Sequence, residues 1–76
     1  MKAIVWSKEN CPQCDTAKLM LTTHGVEFQE NKIGTDYTRE QLLEVVPNAR
    51  SVPQVFIDGT LVGGLNELRL RLNEEV

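Results

Sequence analysis

Two cysteines stand three residues apart in Cys11-Pro12-Gln13-Cys14, and the chain has no others. Paired thiols at this spacing do one of two things: they exchange electrons with a disulfide, or they supply half of a metal site. Cys11 is expected at the N-cap of a helix. There the free backbone N–H groups and the positive end of the helix dipole point at its sulfur and favour the thiolate. A free thiol has a pKa of about 8.5, and cysteines in such settings fall to roughly 3.5–7.5. Lys8, just before the pair, adds positive charge. Cys14, one helical turn on and turned inward, can strike the first sulfur. Cys11 would attack a substrate disulfide, and Cys14 would then attack Cys11 and release the reduced substrate. The short loop makes the second step intramolecular, and Pro12 limits the freedom of the oxidised loop.

A zinc site would need two more ligands. The one histidine, His24, stands at the far end of the same helix, about 15 Å from Cys14 at 1.5 Å per residue, and reads as a solvated helix end. A metal cluster shared between two chains stays open. Trp6 reads as strand-end packing or as a recognition group at the mouth of the active loop.

The elements that hold the cysteines can be read from pattern. Lys2 to Trp6 is a short buried strand. Cys11 to His24 is a helix with Pro12 in its first turn and Gly25 as its stop. Val26 to Ile33 is a second strand, and Glu30 and Lys32 break its apolar alternation as an edge strand tolerates. Thr38-Arg39-Glu40-Gln41 fits a capping box opening a second helix that Pro47 and Asn48 end. Gln54 to Ile57 and Thr60 to Val62 flank Asp58-Gly59, a hairpin turn signal. Gly63-Gly64 breaks the strand, and Asn66 is expected to cap a last helix, with Leu65 and Leu70 as a hydrophobic staple. The order β-α-β-α-β-β-α predicts an α/β fold: a four-stranded mixed sheet with helices on both faces, its first half a right-handed βαβ unit.

Size and charge narrow the function. Seventy-six residues, 41% hydrophobic and 25% charged, predict one domain, residues 1–76, with a small core. A net charge of −3 argues against nucleic acid as a partner. No apolar run approaches a membrane span or a signal-peptide core, so the chain reads as mature, cytoplasmic and without a membrane partner. In a reducing compartment a structural disulfide is disfavoured, which leaves the cysteines for chemistry. Two more features should converge on them. Ser51-Val52-Pro53 precedes the third strand; a cis Val52–Pro53 bond would let Val52 present its backbone to an extended substrate. Gly63-Gly64 allows close approach, and the helix after it offers N–H groups to an anion.

Lys8-x-x-Cys11-Pro12-x-Cys14, Val52-Pro53-Gln54-Val55-Phe56-Ile57 and Gly63-Gly64, in this order and spacing, resemble glutaredoxin over nearly the whole chain. The resemblance implies a thioredoxin-like fold with three helices, a cis Pro53, Cys11 as nucleophile and Cys14 as resolving thiol. It implies glutathione as co-substrate with no tightly bound cofactor, and a monomer acting on disulfide-bearing proteins, ribonucleotide reductase among them. The glutathione groove it implies is formed by Lys8, Pro12, Gln13, Val52, Pro53, Gly63, Gly64, Asn66 and Glu67; apart from the resemblance, Arg50 just before Val52 is expected to add positive charge at its rim. The chain departs from the family where an aromatic usually replaces Gln13 and where Asp usually appears in place of the Asn66-Glu67 pair. Gln13 is similar to small redoxins recycled by thioredoxin reductase. A cluster carrier using Cys11 and glutathione from two chains is a third reading, disfavoured by Pro12.

Overall fold

The computed structural model describes residues 1–73; residues 74–76 of the expected domain lie outside the described residues. The elements are β1 (Lys2–Lys8), α1 (Pro12–Thr23), β2 (Glu27–Ile33), α2 (Arg39–Val45), β3 (Gln54–Ile57), β4 (Thr60–Gly63) and α3 (Leu65–Asn73). The sheet order is β2-β1-β3-β4. β1 runs parallel to β2 and antiparallel to β3, and β3 and β4 form an antiparallel hairpin. This is the mixed four-stranded sheet with three helices that the residue pattern predicts, with β2 at an edge.

Alternation along β1 and β3 builds both layers. Ala3, Val5, Val55 and Ile57 face Ala17 and Leu21 of α1 and Leu68 and Leu72 of α3 in one buried cluster. On the opposite face Trp6 packs with Leu42 and Val46, around which Ile4, Ile33, Tyr37, Ala49, Val52 and Phe56 close. Trp6 meets Tyr37 edge-on at 5.0 Å between ring centroids. Its role is core packing beneath α2.

The turns follow from residue type. Asp58 and Gly59 both have positive φ (50° and 83°), the backbone of a type I′ hairpin turn. Thr38 accepts the Gln41 N–H at 3.1 Å while the Gln41 side chain accepts the Thr38 N–H at 2.7 Å, completing the capping box of α2. Gly25, with φ 72°, ends α1, and exposed His24 is its C-cap.

Some features differ from expectation: β4 runs on through Gly63, which pairs with Val55, where a strand break was expected. β1 runs two residues past Trp6 because Ser7 and Lys8 pair with Lys32 and Ile33 of β2, leaving Glu9 and Asn10 as the turn into α1. The pairing of β4 shifts by one residue between Val55 and Phe56, an irregularity without a sequence signal. α3 begins two residues early: Gly64, not Asn66, is its cap, since the Gly64 carbonyl accepts the Leu68 N–H at 2.9 Å and the Gly64 N–H donates to Glu67 Oε1 at 2.8 Å. The Leu65–Leu70 staple is therefore absent; Leu70 is 64% exposed, while Leu65 packs on the core.

Candidate active site

The redox loop is built by the start of α1. Cys11 is the N-cap in extended backbone, and Pro12 holds the first helical position. The Cys11 Sγ accepts the backbone N–H of Cys14 at 3.1 Å, so a sulfur does here what a Ser or Asp oxygen usually does at a helix start. Cys11 and Cys14 are joined as a disulfide, with Cα atoms 5.2 Å apart. Cys11 is 8% exposed and Cys14 1% exposed, so the first sulfur is the more accessible of the two. Asn10, with φ 54°, makes the sharp entry into the helix. Pro12 and Gln13 lie exposed at the loop tip.

The loop before β3 comes to the same place. The Val52–Pro53 peptide bond is cis, and the Val52 carbonyl oxygen lies 3.9 Å from Cys11 Sγ. Pro53 is buried, and Val52 packs on the Trp6 cluster, which anchors the loop. The Gly-Gly turn joins it from the other side. A Cβ on Gly64 would sit 3.6 Å from the Pro53 carbonyl, so the two loops touch through backbone. Gly63 has φ 124°, and a Cβ there would meet Glu67 Cβ and Cγ at 3.0 Å. The glycines thus make room for the chain's own Glu67, whose carboxylate closes the first turn of α3. Asn66 is exposed beside it.

On the Val52 side a cavity of about 120 Å³ opens between β1, α2 and the loop before β3. Ile33, Leu42, Leu43, Ala49 and Val52 supply its apolar lining, and Lys8, Arg39 and Arg50 bring three positive charges; among the described residues, no acidic side chain lines it. Lys8 and Arg50 were expected here from sequence. Arg39 was visible only as part of a capping box. Its signal is position: an arginine in the first turn of a helix opposes the dipole and calls for another reason to be there.

Where α1 meets β1 and the edge strand β2 lies a half-buried polar cluster that sequence reasoning missed. Ser7, fully buried, donates to Glu30 Oε2 at 2.6 Å. The same oxygen accepts Lys18 Nζ at 2.8 Å, and Lys18 also lies 3.4 Å from Asp15. The hydrogen bond from Lys18 and then that from Ser7 hold the Glu30 carboxyl below the usual carboxylate range. The bond to Glu30 raises Lys18 in turn. The polar break that Glu30 makes in the β2 pattern is thus an inward ion pair. Among the described residues, no group of three or more His, Cys, Asp or Glu side chains is placed to hold a metal ion.

A reversible dithiol at a helix start, facing a cis-proline loop on a β-α-β-α-β-β-α sheet, defines a thiol–disulfide oxidoreductase of thioredoxin-like fold. The sequence pattern of the glutaredoxin family matches residues 3–62, and the chain belongs to that family. It is similar to glutaredoxin 3 of Escherichia coli strain K12, at 40% identity over 65 residues, 84% of this chain and 77% of that one. Among solved structures it is similar to glutaredoxin 1 of Francisella tularensis in complex with cacodylate (TM-score 0.82, 25% identity, 97% of this chain and 94% of that one). A buckwheat glutaredoxin–glutathione complex matches equally well (TM-score 0.82, 25% identity, 96% of this chain and 69% of that one).

Proposed function

We propose that this oxidoreductase works in the cytoplasm with glutathione as its reductant, reducing protein disulfides and glutathione mixed disulfides. Cys11 is the nucleophile and Cys14 the resolving thiol. The observation that carries the assignment is the asymmetry of the pair: Cys11 Sγ is the more exposed and receives a backbone N–H at a helix start, while Cys14 is buried. The Cys11 thiolate attacks a substrate disulfide, and the leaving sulfur departs as a thiolate and takes a proton. The Cys14 thiolate then attacks Cys11 Sγ, expels the second substrate thiol, and leaves the Cys11–Cys14 disulfide. One glutathione thiolate opens that bond at Cys11. A second attacks the bound glutathione sulfur, giving glutathione disulfide and the free dithiol.

Support for glutathione comes from the groove. The cavity beside Val52 offers Lys8, Arg39 and Arg50 to a carboxylate, and the Val52 backbone can pair with an extended peptide. Gly63, Gly64 and Asn66 at the start of α3 form the opposite end, with Glu67 ordering that turn. Pro12, Gln13 and Pro53 flank the sulfur. The buckwheat relative, similar in fold, was solved with glutathione. Ribonucleotide reductase is the protein substrate we would assay first.

The test is coupled turnover of a glutathione mixed disulfide with glutathione and glutathione reductase. Turnover is expected, with Cys11→Ser inactive and Cys14→Ser active on mixed disulfides yet unable to reduce insulin disulfides. No turnover with glutathione but good turnover with thioredoxin reductase, which exposed Gln13 would then serve, overturns the glutathione reading. Equal loss of both activities in Cys14→Ser overturns the two-step scheme.

A further inference from the structure

We infer that the cationic cavity beside Val52 is a subsite for protein substrates: it takes an aliphatic side chain directly after the substrate's reactive cysteine, with an acidic residue next in line. The inference rests on the disulfide-reductase reading above and names the class of protein substrate that reading leaves open.

The cavity offers more than a carboxylate needs. About 120 Å³ lies between the end of β1, α2 and the loop before β3. An apolar cavity of about 150 Å³ holds a benzene molecule, so there is room here for one aliphatic side chain. Ile33, Leu43, Ala49 and Val52 line it, and each is only partly buried in the free protein. The residue after cysteine in glutathione is glycine. Its carboxylate can meet the cations, but it has no side chain to cover the apolar wall. A leucine, isoleucine or valine at that position covers the wall and gains the burial.

The mouth of the cavity asks for an anion. Lys8, Arg39 and Arg50 are all exposed there. Among the described residues no acidic side chain lines the cavity, and none of these three cations is held in an ion pair. Three unpaired like charges at one opening, on a chain whose net charge is −3, favour a partner that brings negative charge to that spot.

The register of an extended substrate brings both parts to the cavity. The Val52 carbonyl oxygen lies 3.9 Å from Cys11 Sγ, so the backbone of Val52 borders the reacting sulfur. A chain paired antiparallel with Val52 sets its cysteine opposite Val52, its next residue opposite Ser51, and the one after that opposite Arg50. Successive side chains of an extended chain point to opposite sides. When the cysteine turns toward Cys11 at the start of α1, the next side chain turns toward α2, where the cavity opens. An acidic residue after it then lies over Arg50.

The experiment uses short peptides with blocked ends, each supplied as its homodimeric disulfide. Cys11 attacks one peptide sulfur, the other peptide leaves as a thiolate and takes a proton, Cys14 displaces the first, and two glutathiones restore the dithiol. Turnover is coupled to glutathione reductase, and kcat/KM is compared across the series. Cysteine followed by leucine and glutamate is expected to be reduced about tenfold better than cysteine followed by glycine and glutamate, the lower end of what burying an aliphatic side chain yields. Glutamine in place of that glutamate should cost about threefold, as an exposed charge pair does, and the glutamate advantage should fade in about 0.5 M salt. A peptide with leucine before the cysteine and glycine after it should show no advantage. Ala49→Leu fills the cavity from its own wall and should bring the leucine advantage below about twofold while the glutamate advantage stays. Equal rates for the leucine and glycine peptides with the parent protein overturn the inference. So does an equal gain from leucine before the cysteine, or a leucine advantage that survives Ala49→Leu. Turnover of a glutathione mixed disulfide separates the two ideas: if it proceeds while the peptides show no preference, the subsite has failed and the glutathione reading stands. If glutathione supports no turnover at all, that reading has failed, and the same peptide ratios measured with thioredoxin reductase decide the subsite.

Discussion

Gly63→Ala should destabilise this protein far more than Gly64→Ala, although the two glycines are neighbours. At Gly63 the backbone has φ 124°, a region that costs an L-residue about 1–3 kcal/mol. The new Cβ would also lie 3.0 Å from Glu67 Cβ and Cγ, inside the contact distance of about 3.5–4.0 Å for carbon pairs. Glu67 must then swing away, which breaks its 2.8 Å hydrogen bond from the Gly64 N–H, a helix-start contact worth about 1 kcal/mol. The sum is about 2–4 kcal/mol. For a domain of this size each kcal/mol moves the melting midpoint by about 4–8 °C, so a fall of roughly 8–32 °C is expected. At Gly64 the nearest atoms to an added Cβ are Glu67 Oε1 at 3.3 Å and the Pro53 carbonyl oxygen at 3.6 Å. The first is the end of a flexible side chain and the second an ordinary contact, so the cost should stay within about 1 kcal/mol. Thermal unfolding of the oxidised protein measures both. In a Glu67→Ala background the Gly63→Ala penalty should shrink by about 1 kcal/mol, a coupling that a double-mutant cycle isolates. Equal midpoints for the two alanine variants, or an unchanged penalty without Glu67, would refute the reasoning.

Leu68 is fully buried in the cluster between α1 and α3, and Leu68→Ala should cost about 2–5 kcal/mol in urea unfolding. Lys8→Ala and Arg39→Ala should each raise the KM for glutathione by up to about fivefold, the range of an exposed charge pair worth up to about 1 kcal/mol, with little change in kcat. Glu30 has a lowered carboxyl pKa, so its stabilisation is complete above the carboxylate's unfolded range and disappears as pH falls through the folded value. The stability gap between the parent and Glu30→Gln should thus be largest near neutral pH and vanish in acid. Lys18 is raised; its contribution is complete below the ordinary lysine range and is lost only as pH climbs through the raised value, so no alkaline loss is expected below that range.

The sheet and the redox loop were legible because they rest on local chemistry. Pro12 after Cys11, Thr38 with Gln41, and Asp58-Gly59 each carry a turn or cap within four residues, and each forms as expected. Val52-Pro53 was legible through family resemblance. What escaped notice depends on partners distant in the chain. Glu30 looked like a defect in an edge strand because Ser7 and Lys18, its partners, come from two other elements. Arg39 lies in the cavity with Lys8 and Arg50 only because α2 folds over the second face of the sheet. The start of α3 was misplaced for a subtler reason. Asn66 is a good cap by type, but Glu67 reaches back to the Gly64 N–H, and that side-chain choice sets the first turn two residues earlier than residue preference indicates.

The sulfur at the start of α1 links endurance to electron affinity. In the dithiol state it can carry a full negative charge against that helix end; in the disulfide state it cannot. Whatever free energy the helix end contributes to the anion therefore favours the reduced protein and, round a closed cycle, makes the bridge more willing to accept electrons by the same amount. Weakening that end, for instance by replacing Pro12 or lengthening the turn at Asn10, should leave a disulfide that is harder to reduce and a dithiol protein that unfolds more readily.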